Sequence, residues 1–232
     1  MARTRNQALN DETIIQIKQA ARQLMAQHGT AGLSIRGIAK VLSVSPPALY
    51  HYFANLEDLI TTLIADSFNS LADTLDAVGL KSRTKTKAGR LLTVFEAYRQ
   101  WAFDHPIDFQ LIYGNPIPGY NAPREITVPA VVRTFITPVR LADLAIKAGE
   151  SSLNDFRIPA FCAEHMNGMI AEHGYPVSLE SMYLIMTLWT QIHGLIMLEL
   201  YGHLSSNVGN ADAFYRHRVI EMLHTFGFDD LT

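Results

Sequence analysis

The tightest constraint on this chain lies between Ser34 and Phe53, where two short helical patterns meet across a break of three residues. Ile35, Ile38, Ala39 and Leu42 recur at i, i+3, i+4 and i+7, one face of a helix that Ser34 can cap. Ser43, Val44 and Ser45 interrupt the period, and a second helix opens on Pro46 and Pro47 and reaches Phe53. Ser45 is placed to cap it, and Pro46 suits its first position, where a missing N–H does no harm. Helices joined by so short a turn, with Ala39 small enough for a close crossing, have the dimensions of a helix-turn-helix unit. Leu49 and Phe53, four apart, turn inward, which leaves Pro47, Ala48, Tyr50, His51 and Tyr52 for a groove or its walls. Tyrosine hydroxyls and imidazole N–H groups donate to phosphates, while Pro47 and Ala48 offer apolar contact to a thymine methyl. The plainer alternative, three packed aromatics of a small helical domain, fits poorly with large polar-tipped residues in a row beside a basic patch.

That patch shows only when the charge is divided. Residues 1–56 hold Arg3, Arg5, Lys18, Arg22, Arg36 and Lys40 against Asp11 and Glu12, a net of +4, whereas the remainder carries −7. A positive head on a negative body orients a protein on a polyanion.

The helical period continues throughout. Asn10 can cap a first helix carrying Ile14, Ile17, Ala21, Leu24 and Met25, which His28 and Gly29 end. Asn55 starts a long fourth helix that stops near Gly79. Beyond a polar linker, LLTVFEAYRQWAFDH and IDFQLIYG read as helices parted by Pro106, and residues 114–129, with four prolines and two glycines, read as a loop. Further helices are expected near 129–148 with a kink at Pro138, at 155–173, from Ser178 to about Tyr201, and from Asn210 to Phe226. The reading is all-α: a head over 1–54, a connecting helix over 55–79 and a helical body over 80–232.

From Asn10 to Leu63, around TAGLSIRGIAKVLSVSPPALYHYFANLEDL, the chain resembles the DNA-binding head of the TetR family of transcriptional repressors. The resemblance implies that Arg36, Ser45, Pro46, Pro47, Ala48, Tyr50, His51 and Tyr52 meet double-stranded operator DNA. Two positions depart from the family pattern. The turn glycine is Ser43, which must then take a left-handed conformation costing about 1–2 kcal/mol. A frequent phosphate-binding lysine is Leu56, and a basic arm bearing Arg3 and Arg5 can compensate at phosphates or in the minor groove.

In the body, the run WTQIHG puts Trp189 and His193 one turn apart, with Gly194 able to admit another backbone. Together with YRQWAFDHPIDFQLIYG it resembles the WHG type of TetR C-terminal domain. His193 is then either a satisfied core histidine or the polar group of an effector cavity. The resemblance implies a small, mostly apolar effector lined by Trp101, Phe109, Ile112, Tyr113, Phe135, Trp189, His193 and Met197. The absence of Lys and Arg from 158 to 215 disfavours a multiply charged anion. Leu179–Tyr201 is long and apolar, but Glu180, Gln191, His193 and Glu199 argue for an interior helix or one face of a dimer bundle. With the last helix, whose apolar face holds Phe214, Val219, Met222, Leu223 and Phe226, it resembles the family's homodimer interface.

Other chemistry does not assemble. No Gly-rich phosphate loop, H-x-x-x-H pair or cofactor signature occurs, GLSIRG is one residue too long for a nucleophile elbow, and neither metal nor cofactor is expected. Cys162 stands alone, and the polar, basic residues after Met1 do not form a signal region, so cytoplasm is expected. The resulting expectation is a cytoplasmic, ligand-responsive repressor that binds a palindromic operator as a dimer. The rivals are an enzyme using His193 and a DNA-binding activator or architectural protein without an effector.

Overall fold

The computed structural model describes residues 2–81, 86–151 and 157–231. In chain order the helices are α1 (Ala2–His28), α2 (Ile35–Leu42), α3 (Pro46–Leu49), α4 (Leu56–Lys81), α5 (Lys87–Asp104) and α6 (Pro106–Tyr113). They continue as α7 (Arg124–Lys147), α8 (Ala160–His173), α9 (Leu179–Leu200), α10 (Ser205–Val208) and α11 (Ala211–Thr225). No strand occurs among the described residues, so the all-α reading holds. Packing divides the chain into two units, Met1–Asn69 with His105–Val131 and Ser70–Asp104 with Val132–Thr232.

The first unit is built on the expected apolar faces. Ile17, Ala21, Leu24 and Met25 of α1 meet Ile38 and Ala39 of α2, Leu49 and Phe53 around α3, and Leu59, Ile60, Leu63 and Phe68 of α4. Gly29 ends α1 at φ 70°, and its N–H reaches the Met25 carbonyl at 2.8 Å. Asn55 caps α4 by accepting the Asp58 N–H at 2.8 Å, and Asp58 accepts from Ala54 at 3.0 Å. Packing also draws α6, the loop after it and the first residues of α7, up to Val131, into this unit. Leu111 and Ala130 are buried in its core, the Arg22 Nε donates to Asp108 at 2.8 Å, and the Ser67 hydroxyl reaches the same oxygen at 3.0 Å.

The second unit centres on α5, which packs against α9 and α11; Leu91, Phe95, Tyr98 and Trp101 of α5, Leu184, Leu188 and Ile192 of α9, and Tyr215 and Val219 of α11 are all buried. Tyr215 donates to the Phe95 carbonyl at 2.7 Å. Arg99 grips Glu199 with two nitrogens, Nε at 2.8 Å and Nη2 at 2.6 Å, and reaches Asp212 with the third at 2.7 Å. Helix α8 carries no buried side chain.

Several boundaries differ from the sequence reading. Helix α1 starts at Ala2, eight residues before the expected Asn10 cap, through a stretch rich in the helix formers Ala, Arg, Gln and Leu. Helix α7 starts at Arg124, which shortens the loop, because the Pro123 carbonyl accepts the Ile126 and Thr127 N–H groups and carries the helix past Pro129. It also runs unbroken through Pro138, with Val139, Leu141 and Ala142 buried just beyond. The start expected for α8 at 155 lies outside the described residues, and the observed start is Ala160.

Candidate DNA interface and effector site

The turn between α2 and α3 is held by local bonds. The Ser34 hydroxyl caps α2 by accepting the Gly37 N–H at 3.1 Å. Ser43 adopts φ 56° and ψ 38°, the left-handed geometry required of it, and the Val44 N–H closes on the Ala39 carbonyl at 3.0 Å. Ser45 occupies the cap position of α3, but its hydroxyl makes no capping bond. The reason is the proline pair. Pro46 and Pro47 have no N–H to offer, and the Ala48 N–H goes to the Ser45 carbonyl at 3.0 Å. The hydroxyl is therefore left over, on an exposed residue, as a group able to meet a phosphate.

Helix α3 itself is four residues long. One further turn follows, in which the Tyr52 and Phe53 N–H groups reach the Leu49 carbonyl at 3.0 and 3.1 Å. Leu49 and Phe53 are buried as expected, Pro47, Tyr50 and His51 are exposed, Pro46 and Ala48 are half-buried, and Tyr52 packs its side chain against the core. Arg36 is exposed on α2, and Lys40, one turn on, is exposed beside it. Its i, i+4 spacing from Arg36 puts the two cations on one face of α2. Arg3 and Arg5 fall in the first turns of α1, and their side chains lie outside the described residues. Lys18 and Arg22 are spent on ion pairs with Asp66 and Asp108 at 2.7 and 2.8 Å, so the basic patch is smaller than the charge count suggests. Leu56 packs against the core.

In the second unit an aromatic chain runs from α7 through α9 to α5. The Phe135 ring stands edge-on to Trp189 with centroids 5.5 Å apart, Trp189 lies 5.2 Å from His193, and the Nδ1 of His193 is 2.7 Å from the Tyr98 hydroxyl. Burial pushes the His193 imidazole below its ordinary 6.5, which keeps it neutral at pH 7. Tyr98 is a partner the sequence did not reveal, since 95 positions separate the pair. The eight residues expected at an effector site are shared between the two units. Phe135, Trp189, His193 and Met197 are partly buried in the second unit, Trp101 is inside its core donating to Ser70 at 3.1 Å, and Phe109, Ile112 and Tyr113 belong to the first unit. An added methyl at Gly194 would meet nothing within 4 Å, so no other helix among the described residues uses the gap it leaves. No cluster of three metal-ligating side chains occurs among the described residues.

Residues 17–63 match the family model described as bacterial regulatory proteins, tetR family. Residues 91–222, more than half the chain, match the tetracyclin repressor-like C-terminal domain. The chain belongs to the TetR family. It is a DNA-binding transcriptional regulator, not an enzyme. Among similar proteins, the HTH-type transcriptional regulator Rv1816 of Mycobacterium tuberculosis (strain ATCC 25618 / H37Rv) is 29% identical over 192 residues, covering 83% of this chain and 82% of that one. The crystal structure of the regulatory protein SCO4313 superposes with a TM-score of 0.76 at 28% identity, covering 94% of this chain and 98% of the other. A Rhodococcus sp. RHA1 protein of unknown function shares the fold at TM-score 0.70 and 20% identity, covering 92% and 95%. Within the TetR frame, the matched reading head runs from Ile17 in α1 through α2 and α3 to Leu63 in α4, and the WTQIHG segment of α9 lies inside the matched C-terminal domain.

Proposed function

We propose that this TetR-family protein is a cytoplasmic repressor that binds a palindromic operator as a homodimer and releases it when a small, mostly apolar effector enters the second unit. Two copies of α3 must reach successive major grooves about 34–36 Å apart. An effector need only favour a spacing that misfits the DNA, and a coupling of about 1–3 kcal/mol changes affinity some 5- to 150-fold. The observation that carries the DNA part is the exposed edge made by Arg36, Ser45, Pro47, Tyr50 and His51, with Pro46 and Ala48 half-buried behind it. Tyr52 supports that edge from the core side, and Arg3 and Arg5 supply an arm toward the backbone or minor groove. The effector part is supported by the chain of Phe135, Trp189 and His193, with Met197 one turn further along α9 and Trp101 behind them in the core. Ile112 and Tyr113 pack against the core of the first unit, and the Phe109 ring lies 5.3 Å from that of Tyr113.

The dimer surface is assigned to α9 and α11. Val219 and Leu223 of the expected apolar stripe are fully buried within one chain, whereas Phe214 and Phe226 are half-buried. The outward face, where Leu198 is 47% exposed, is what remains for a second copy. The test begins with an operator selected from random duplexes. Tyr50→Phe with His51→Ala should weaken its binding at least tenfold while circular dichroism and sedimentation stay as in the parent. Unchanged affinity would remove α3 from the reading role.

A further inference from the structure

Helix α7 and the segment entering α9 enclose a crevice of about 190 Å³. Its α7 wall is a single stripe at positions 132, 135, 136, 139 and 140, the i, i+3, i+4, i+7 spacing of one helical face. Val132, Phe135 and Val139 supply that wall, Tyr175 and Met182 stand opposite, and the stripe ends on Arg140, the one charged lining group among the described residues. Arg140 is exposed and forms no ion pair among the described residues, whereas Arg133, two turns earlier on α7, is paired with Asp73 and Asp76. An apolar crevice thus opens beside an uncompensated guanidinium.

We infer that this crevice takes a small ligand with an apolar body and one carboxylate, the body against Phe135 and Met182 and the carboxylate on Arg140. The volume sets the size, since a cavity of about 150 Å³ lined by aliphatic and aromatic side chains holds a benzene molecule, and this one admits a body a little larger. Charge sets the head group. A guanidinium fork matches a carboxylate, and among the described residues no second cation lines the crevice to neutralise a dianion. The ring contacts supply a reporter, because the Phe135 side chain in the wall stands 5.5 Å from Trp189, which leans on the bonded pair His193 and Tyr98. The inference deepens the effector reading above and rests on it for any effect on DNA.

The test titrates the full chain with octanoate, octan-1-ol and octylamine, following tryptophan fluorescence for binding and anisotropy of a labelled operator duplex for release. Octanoate should bind roughly fivefold tighter than the alcohol, the scale of a solvent-exposed ion pair, with the amine weakest. Arg140→Glu should invert that order, so that octylamine outranks octanoate, a gain that a merely damaged fold cannot produce. Equal binding of the three probes, no binding of octanoate, or an order unchanged by Arg140→Glu would overturn the inference. An Arg140-dependent order without any loss of operator affinity would uphold the crevice and overturn the ligand-responsive reading instead.

Discussion

Replacing Arg99 by Met removes the charge that ties α5 to α9 and keeps most of the aliphatic stem. The side chains of Arg99 and Glu199 are only 14% and 7% exposed, and two parallel bonds join them. Breaking one partner of a buried pair costs about 3–5 kcal/mol, because the other charge is stranded. The cation also sits 4.9 Å from the Phe103 centroid and 5.3 Å from that of Tyr215, contacts worth about 0.5–1 kcal/mol. The third arm adds little, since Asp212 is 81% exposed. Methionine refills the space, so a net loss of about 3–4 kcal/mol is expected, or close to 10 °C in melting temperature for a unit of this size. Both tryptophans of the chain, Trp101 and Trp189, lie in the second unit, so urea unfolding followed by fluorescence reads that unit alone. Adding Glu199→Leu to Arg99→Met should restore most of the loss, because no charge is then stranded. A single variant within about 1 kcal/mol of the parent, or a double variant no better than the single, would refute the argument.

Ser43→Gly should stabilise the reading head by about 0.5–1 kcal/mol in thermal melts, relieving the left-handed serine at φ 56° less the extra freedom glycine has when unfolded; a lower melting temperature would contradict this. For His193, burial lowers the folded pKa below the ordinary 6.5, so the unfolded chain binds the proton more readily. The stabilisation of the neutral ring is therefore complete above pH 6.5 and lost as pH falls toward the folded value. The stability of the parent relative to His193→Gln should decline between pH 7.5 and 5.5 in urea titrations, and a pH-independent difference would rule it out.

What could be read in advance followed from chemistry local in sequence. The caps at Ser34 and Asn55, the glycine end of α1, the strained Ser43 and the inward pair Leu49 and Phe53 each depend on neighbours within about one turn. The Ser45 hydroxyl shows how a local rule fails when a second one competes, since the two prolines that favour the helix start also remove the donors a cap would satisfy. Burial was legible, but not the core it serves. Phe109 and Trp101 both look internal, and periodicity cannot say that they enter different units. Pairings such as Arg22 with Asp108 and Tyr98 with His193 join residues 86 and 95 apart, and only the packed helices choose among the available partners.

The reading head has a consequence for the order in which the molecule is made. Its core is closed by Leu111 and Ala130, and Arg22 waits for Asp108, so residues 1–69 leave the ribosome without part of their own interior. At about 5–20 residues per second, the remaining stretch to residue 131 takes some 3–12 s to emerge, long compared with the folding of small helical domains. During that interval the nascent head holds an unsatisfied guanidinium and an open apolar flank. Competence to bind DNA is thus acquired late in synthesis, after more than half the chain exists, and a fragment ending at residue 69 should be a poorer binder than its complete set of reading residues implies.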